Sequence, residues 1–181
     1  MEVKETGFAG LLIIKSRVFE DSRGFFFESY NKQALVDHGI RTEFVQDNQS
    51  RSAYGVIRGL HYQVGEMAQA KLVSALEGEV LDVVVDIRKE SATFGKYFYI
   101  VLSAVNKIQL FIPRGFAHGF AVLSRTALFF YKCDNFYSRE HERGIIYNDP
   151  KLDIEWMIPE NDRILSEKDI NLPVFEKARL D

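Results

Sequence analysis

Cysteine is nearly absent: Cys133 is the one cysteine in 181 residues. That excludes an intramolecular disulfide framework and suits a reducing cytosol. Long apolar runs are missing too. The opening residues Met1-Glu2-Val3-Lys4 lead into no signal-like stretch, and nothing downstream reaches the roughly 20 apolar residues of a membrane-spanning helix. The expected location is the cytoplasm. Positive charge is not in excess either, since the formal net charge is -3. This argues against a nucleic-acid binder, which displays a basic domain or stripe. A small anionic ligand remains open, because a few local arginines and lysines hold phosphate even on an acidic protein. Internal repeats, linkers and βαβ units are all lacking, so a single domain over 1–181 is expected and a doubly wound fold is not.

What is present is an ordinary globular balance, 46% apolar and 27% charged residues, in a chain long enough to bury a sizeable core. Short β-type runs dominate, at 11–19, 23–30, 43–48, 56–63, 71–76, 80–87, 97–102, 108–112, 120–123 and 127–133. Turn residues such as Gly10, Gly24, Gly55, Gly78, Gly95, Gly115 and Asp149-Pro150 punctuate them, which is the pattern of an all-β sandwich or barrel. Residues 31–38 read as a short helix, with Asn31 as N-cap and Gly39 as stop. Glu77-Gly78-Glu79 reads as a hairpin connection, and 113–118 as a compact turn. Beyond Pro150 charges accumulate, and an extension packed around the barrel is expected. Aromatics at 13% are high. Composition alone leaves open whether all of them fill the core or some cover a subunit interface.

Several polar residues fall where a sheet interior should be apolar: Gln46, Asn48, Arg58, His61, Lys71, Asp82, Asp86, His118, Tyr131 and Lys132. Strand alternation turns half of such residues outward, but across a barrel those facing in converge on one lumen. The stretch 55–63, Gly-Val-Ile-Arg-Gly-Leu-His-Tyr-Gln, concentrates the oddity. Alone it reads better as a structural glycine bulge beside a satisfied histidine, and the rest of the chain overturns that reading.

Pro113-Arg114-Gly115-Phe116-Ala117-His118 matches the second cupin motif, and 59–78 runs parallel to the first. Metal-binding cupins carry His-x-His and a Glu there; here those places hold His61, Gln63 and Lys71. A lysine cannot ligate as an ammonium and a carboxamide is a poor substitute for imidazole, so neither metal nor other cofactor is expected. The resemblance implies a cupin-type jelly roll, mainly β, with short helices near the N- and C-terminal parts.

A more specific set follows in order: Asp21-Ser22-Arg23-Gly24-Phe25-Phe26-Phe27-Glu28, Phe44-Val45-Gln46-Asp47-Asn48, Arg58-Gly59-Leu60-His61-Tyr62-Gln63, Gln69-Ala70-Lys71-Leu72-Val73, Gly115-Phe116-Ala117-His118-Gly119-Phe120, Tyr131-Lys132 and Asn148-Asp149-Pro150. Over essentially the whole chain this resembles the dTDP-4-dehydrorhamnose 3,5-epimerase family. The resemblance implies inversion of C3 and C5 on either side of a C4 ketone, through an enolate, on the route to dTDP-L-rhamnose. Such chemistry needs a base on one face, an oxyanion stabiliser and an acid on the other face.

By resemblance, His61 is the base, Asp169 the carboxylate that orients it, Lys71 the stabiliser of the C4 oxyanion and Tyr131 the acid. The same resemblance implies that Arg23, Glu28, Gln46, Asp47, Asn48, Arg58, Lys71, His118, Tyr137, Glu142 and Lys168 bind the dTDP-sugar, with Tyr137 stacking on thymine. It implies a homodimer in which Arg23 and Glu28 reach the neighbouring subunit's site. A single-site epimerase, inverting only C3 or only C5, needs the same groups. Ketoisomerisation of a similar sugar nucleotide, a non-catalytic sugar-nucleotide-binding cupin and a metal-dependent oxygenase are the remaining readings, in falling order.

Overall fold

The computed structural model describes all residues, Met1–Asp181. Its strands are β1 (Glu2–Glu5), β2 (Leu12–Lys15), β3 (Phe19–Asp21), β4 (Gly24–Phe26), β5 (Gln46–Ala53), β6 (Ile57–Gln63), β7 (Lys71–Glu77), β8 (Glu79–Asp86), β9 (Tyr97–Ser103), β10 (Ile108–Ile112), β11 (Phe116–Val122), β12 (Thr126–Cys133) and β13 (Glu142–Gly144). Two short helices, α1 (Lys32–Asp37) and α2 (Glu167–Ile170), complete it. A six-stranded sheet, β1-β2-β10-β7-β12-β5, faces a five-stranded sheet, β13-β6-β11-β8-β9, and β3 pairs with β4 as a separate ribbon. The named strands pair antiparallel throughout, giving the cupin-type jelly roll.

Strand β8 shows how sequence builds the layers. It is apolar at most positions because both its faces are covered. Val80 and Val84 point between the sheets, onto Phe120 and Phe129. Leu81, Val83 and Val85 point the other way, where the C-terminal extension lays Trp156, Ile158 and Phe175 over the sheet. Full burial of each such side chain contributes about 1.5–3 kcal/mol. The expected wrapping of the barrel by the C-terminal extension is thus present, and the Trp156 indole N–H is satisfied by the Tyr147 carbonyl at 2.7 Å.

Asn31 caps α1 as the sequence indicates, its Oδ1 accepting from the Ala34 N–H at 3.1 Å, and Gly39 leaves the helix at φ +84°. Other expectations need correction. Glu77-Gly78-Glu79 does not close a hairpin: β7 lies in one sheet and β8 in the other, so Gly78 (φ +70°) turns a corner between layers. A Cβ there would run into the Thr126 carbonyl, so close packing as well as φ selects glycine. The turn assigned to 113–118 is shorter, and Phe116–Val122 is one continuous strand. The strand placed at 43–48 lies at Gln46–Ala53. Its polar exposed face disguised it, since every second residue faces solvent.

Asp86 ends β8 without solvent exposure. Burial pushes its carboxyl up, but bonds from Arg88, Ser91 and Thr93 outweigh this and hold it at about 2, against an ordinary 3.8. Because the folded value lies below the unfolded one, its stabilisation of about 2 kcal/mol is present above pH ~4 and is lost as pH falls toward ~2. Asp86→Asn should therefore flatten the acid limb of unfolding free energy against pH over that window, measured by urea denaturation.

Candidate active site

The site begins with an irregularity in β6. Opposite β11, His61 pairs with His118 while Arg58 pairs with Phe120, so three steps on β6 match two on β11. In a regular strand residues three apart face opposite sides; the bulge at Gly59–Leu60 brings Arg58 and His61 to the same one. Gly59 has φ +115°, and a Cβ there would lie 2.7 Å from both the Gly119 Cα and the His118 carbonyl oxygen. Only glycine fits at this crossing.

His61 Nε2 lies 2.6 Å from Asp169 Oδ1. The carboxylate comes from the distant C-terminal extension, fixed to the start of β6 by Ile57 N–H to the Ile164 carbonyl and Ile164 N–H to the Gly55 carbonyl, both 2.9 Å. Ser166 then caps α2, accepting from the Asp169 N–H at 3.1 Å, which seats Asp169 at 4% exposure. Burial would raise the Asp169 carboxyl, but hydrogen bonds led by His61, with Ser166 and the Gly59 N–H, win and hold it below its ordinary value. A carboxylate only accepts, so His61 Nε2 carries the hydrogen. That leaves Nδ1, which has no protein partner, with its lone pair free.

A cavity of about 300 Å³ opens beside this pair and includes Arg58, Lys71, His118, Tyr131 and Lys168. A second lobe of about 160 Å³ shares His61, Lys71 and Tyr131 and runs past Gln46, Asn48, Tyr137 and Glu142. The Lys71 Nζ sits 5.8 Å from the Tyr131 ring centroid and pairs with no carboxylate. Burial pushes its ammonium down, opposed by Cys133, Asp82 and Glu142. Burial likewise pushes the Tyr131 phenol up, with Arg58 opposing, so it stays protonated at neutral pH. His118 Nε2 is 2.8 Å from Asp82 Oδ2. At the rim Glu142 accepts from the Tyr137 hydroxyl at 2.9 Å and pairs with Lys168 at 2.6 Å.

Three residues assigned to substrate do not join this cleft within the chain. Asp47 faces outward on β5 and pairs with Lys132 at 2.9 Å, because alternation sends Gln46, Asn48, Ser50 and Ser52 inward instead. Arg23 lies on the β3–β4 ribbon, bound to Asp21 at 2.5 Å. The Glu28 carboxylate accepts from Asn31 at 2.9 Å. Conversely Ser50, Phe120, Phe129 and Ser166 line the main cavity, and Ser52 holds the Arg58 Nε at 3.1 Å. The even-numbered run of β5 was the available signal for the two serines.

The cupin metal positions are otherwise employed. The Gln63 carboxamide donates to the Met67 and Phe136 carbonyls at 2.6 and 3.0 Å and accepts from the Ser138 N–H at 2.5 Å, tying down a loop. His61 is held by Asp169 and Lys71 puts an amine where a metal-binding cupin has a carboxylate, so this donor set does not fit a metal ion. An imidazole–carboxylate pair, an ammonium and a phenol around one cleft equip a cupin for acid–base chemistry. The chain belongs to the dTDP-4-dehydrorhamnose 3,5-epimerase family, whose sequence profile matches residues 5–177. A relative of that name from Shigella flexneri is 54% identical over 179 residues, 98% of each chain. The crystal structure of dTDP-4-dehydrorhamnose 3,5-epimerase from Elizabethkingia anophelis superposes with a TM-score of 0.93 at 56% identity, covering 97% of both chains. That of the dTDP-6-deoxy-D-glucose-3,5-epimerase of Legionella pneumophila, in complex with dTDP-4-keto-L-rhamnose, gives 0.93 at 47% identity, covering 97% of this chain and 93% of that one.

Proposed function

We propose that this protein inverts C3 and C5 of dTDP-4-dehydro-6-deoxy-D-glucose to give dTDP-4-dehydro-L-rhamnose, in the cytoplasm. The observation that carries this is the convergence of His61, Lys71 and Tyr131 on one cleft with Asp169 behind the imidazole. His61 Nδ1 takes the proton from the carbon beside the C4 ketone, and the electron pair moves onto the C4 oxygen as an enolate. Lys71, which makes no direct ion pair with a carboxylate, meets the charge that develops there. Tyr131 returns a proton from the opposite face. Each inversion leaves an imidazolium and a phenolate, which reset through solvent before the second. Arg58 and Lys168 attract the pyrophosphate, while Gln46, Asn48 and Tyr137 form the lobe for the nucleoside.

Arg23 and Glu28 act in a homodimer. The ribbon that carries Arg23 exposes Phe19, Phe25 and Phe26 at 53%, 59% and 68%, an apolar surface suited to a second copy. Packed there, it extends Arg23 toward the neighbouring cleft, with Glu28 following it in the chain.

The test is the stereochemistry of the product, read from proton couplings at C3 and C5 by NMR. Inversion of both supports the assignment; inversion of one identifies a single-site epimerase, and none identifies a binder. Tyr131→Phe should cut net inversion by about 10²-fold or more. It should leave solvent exchange at the first carbon, because removal of the proton does not need the phenol. Loss of exchange together with inversion would reject Tyr131 as the acid alone.

A further inference from the structure

One buried carboxylate touches the site without a role in the chemistry above. Asp82, on β8, has no solvent exposure, and its Oδ1 is the one buried side-chain oxygen in the protein without a hydrogen-bond partner. Its Oδ2 binds His118 Nε2 at 2.8 Å. A carboxylate stripped of water and bonded through one oxygen is costly, and structural packing alone would favour an apolar residue in the middle of this strand. Its flanks Leu81 and Val83 are fully buried apolar side chains. We propose that Asp82 is a positioning residue of the reaction: it fixes the His118 ring with Nε2 as donor and supplies a carboxylate near the Lys71 ammonium.

The chemistry is specific. An acceptor-only carboxylate at Nε2 dictates the tautomer, so His118 presents Nδ1, which has no protein partner, to the cavity as an acceptor for a sugar hydroxyl. For Lys71, burial acts against the charged form and Asp82 acts for it. The other groups facing this ammonium are Tyr131 and Cys133 from β12, Glu142 from β13, and Arg58 and His61 from β6. His118 from β11, with Lys168 and Asp169 from α2, closes the circle. Of the carboxylates, Asp169 is committed to His61 and Glu142 to Lys168 and Tyr137. Asp82 is the one with an oxygen to spare.

This inference rests on the epimerase assignment for its kinetic arm but not for its spectroscopic one. Asp82→Asn preserves shape and an acceptor for His118 while removing the charge. It should move the alkaline limb of the kcat/KM pH profile about one unit toward acid, the effect of deleting a nearby opposite charge. Net inversion at pH ~8 should fall about 10-fold for the same reason. A lowered Tm with the wild-type pH profile would show a merely structural role and overturn the proposal. Independently, ¹⁵N NMR of the substrate-free wild type reads the tautomer of His118 among only 4 histidines. Nε2–H is expected, and Nδ1–H would overturn the proposal whether or not Asp82→Asn folds and whatever sugar the enzyme accepts.

Discussion

His61→Asn is expected to lower kcat by about 10³–10⁴-fold and to stop epimerisation at both carbons. Asparagine is too short to replace the Nε2 bond to Asp169, but that carboxylate keeps its bonds from Ser166 and the Gly59 N–H, and backbone bonds between Ile164 and β6 keep the C-terminal extension in place. What disappears is the lone pair at Nδ1. The side chain is 29% exposed and fills no core cluster, so Tm should hold within about 2 °C of wild type and KM should change little. Steady-state kinetics with a melting curve checks this. A residual kcat above about a tenth of wild type would mean that another group removes protons.

Lys71→Met is expected to lower kcat by about 10²–10³-fold, or roughly 3–4 kcal/mol of lost oxyanion stabilisation. The effect on stability should have the opposite sign. Lys71 is pushed down by burial and has no ion-pair partner, so the folded protein bears the cost of a desolvated charge. Methionine keeps the length of the stem and removes that cost, and Tm should rise or stay level. A large fall in Tm with kcat unchanged would make Lys71 a structural residue. Strain of this kind is expected at a site that serves chemistry at the expense of folding.

Most of the architecture was legible because burial writes itself into strands. β8 reads as a continuous apolar run since both its faces are covered, and β12 since it lies inside the six-stranded sheet. What misled was local grammar taken without its layer. Gly78 between two apolar runs looks the same in a hairpin and in a corner between sheets, and only the pairing of β7 with β10 and β12 separates them. Polar β5 was hard to bound for the opposite reason, having little apolar signal on either face.

The site divides in the same way. His61, Lys71, His118 and Tyr131 stand out as polar residues in apolar strands. The partnership of His61 with Asp169 spans 108 positions and came from family resemblance alone, because a charged turn carries no mark of where it docks. Asp47 was included with its neighbours Gln46 and Asn48, yet alternation sends it to the outer face and Lys132. The glycine bulge and the histidine of residues 55–63 turn out to be one structural feature. Without the bulge at Gly59, Arg58 and His61 would face opposite sides of the sheet.

The central claim, one imidazole serving as base for both stereocentres, is tested most directly by position-resolved deuterium incorporation. The substrate is incubated in D₂O with wild type and with His61→Asn, and C3 and C5 are read by NMR. The account predicts deuterium at both carbons with wild type and at neither with the variant. Deuterium at either carbon with His61→Asn, at a rate near that of wild type, would contradict it.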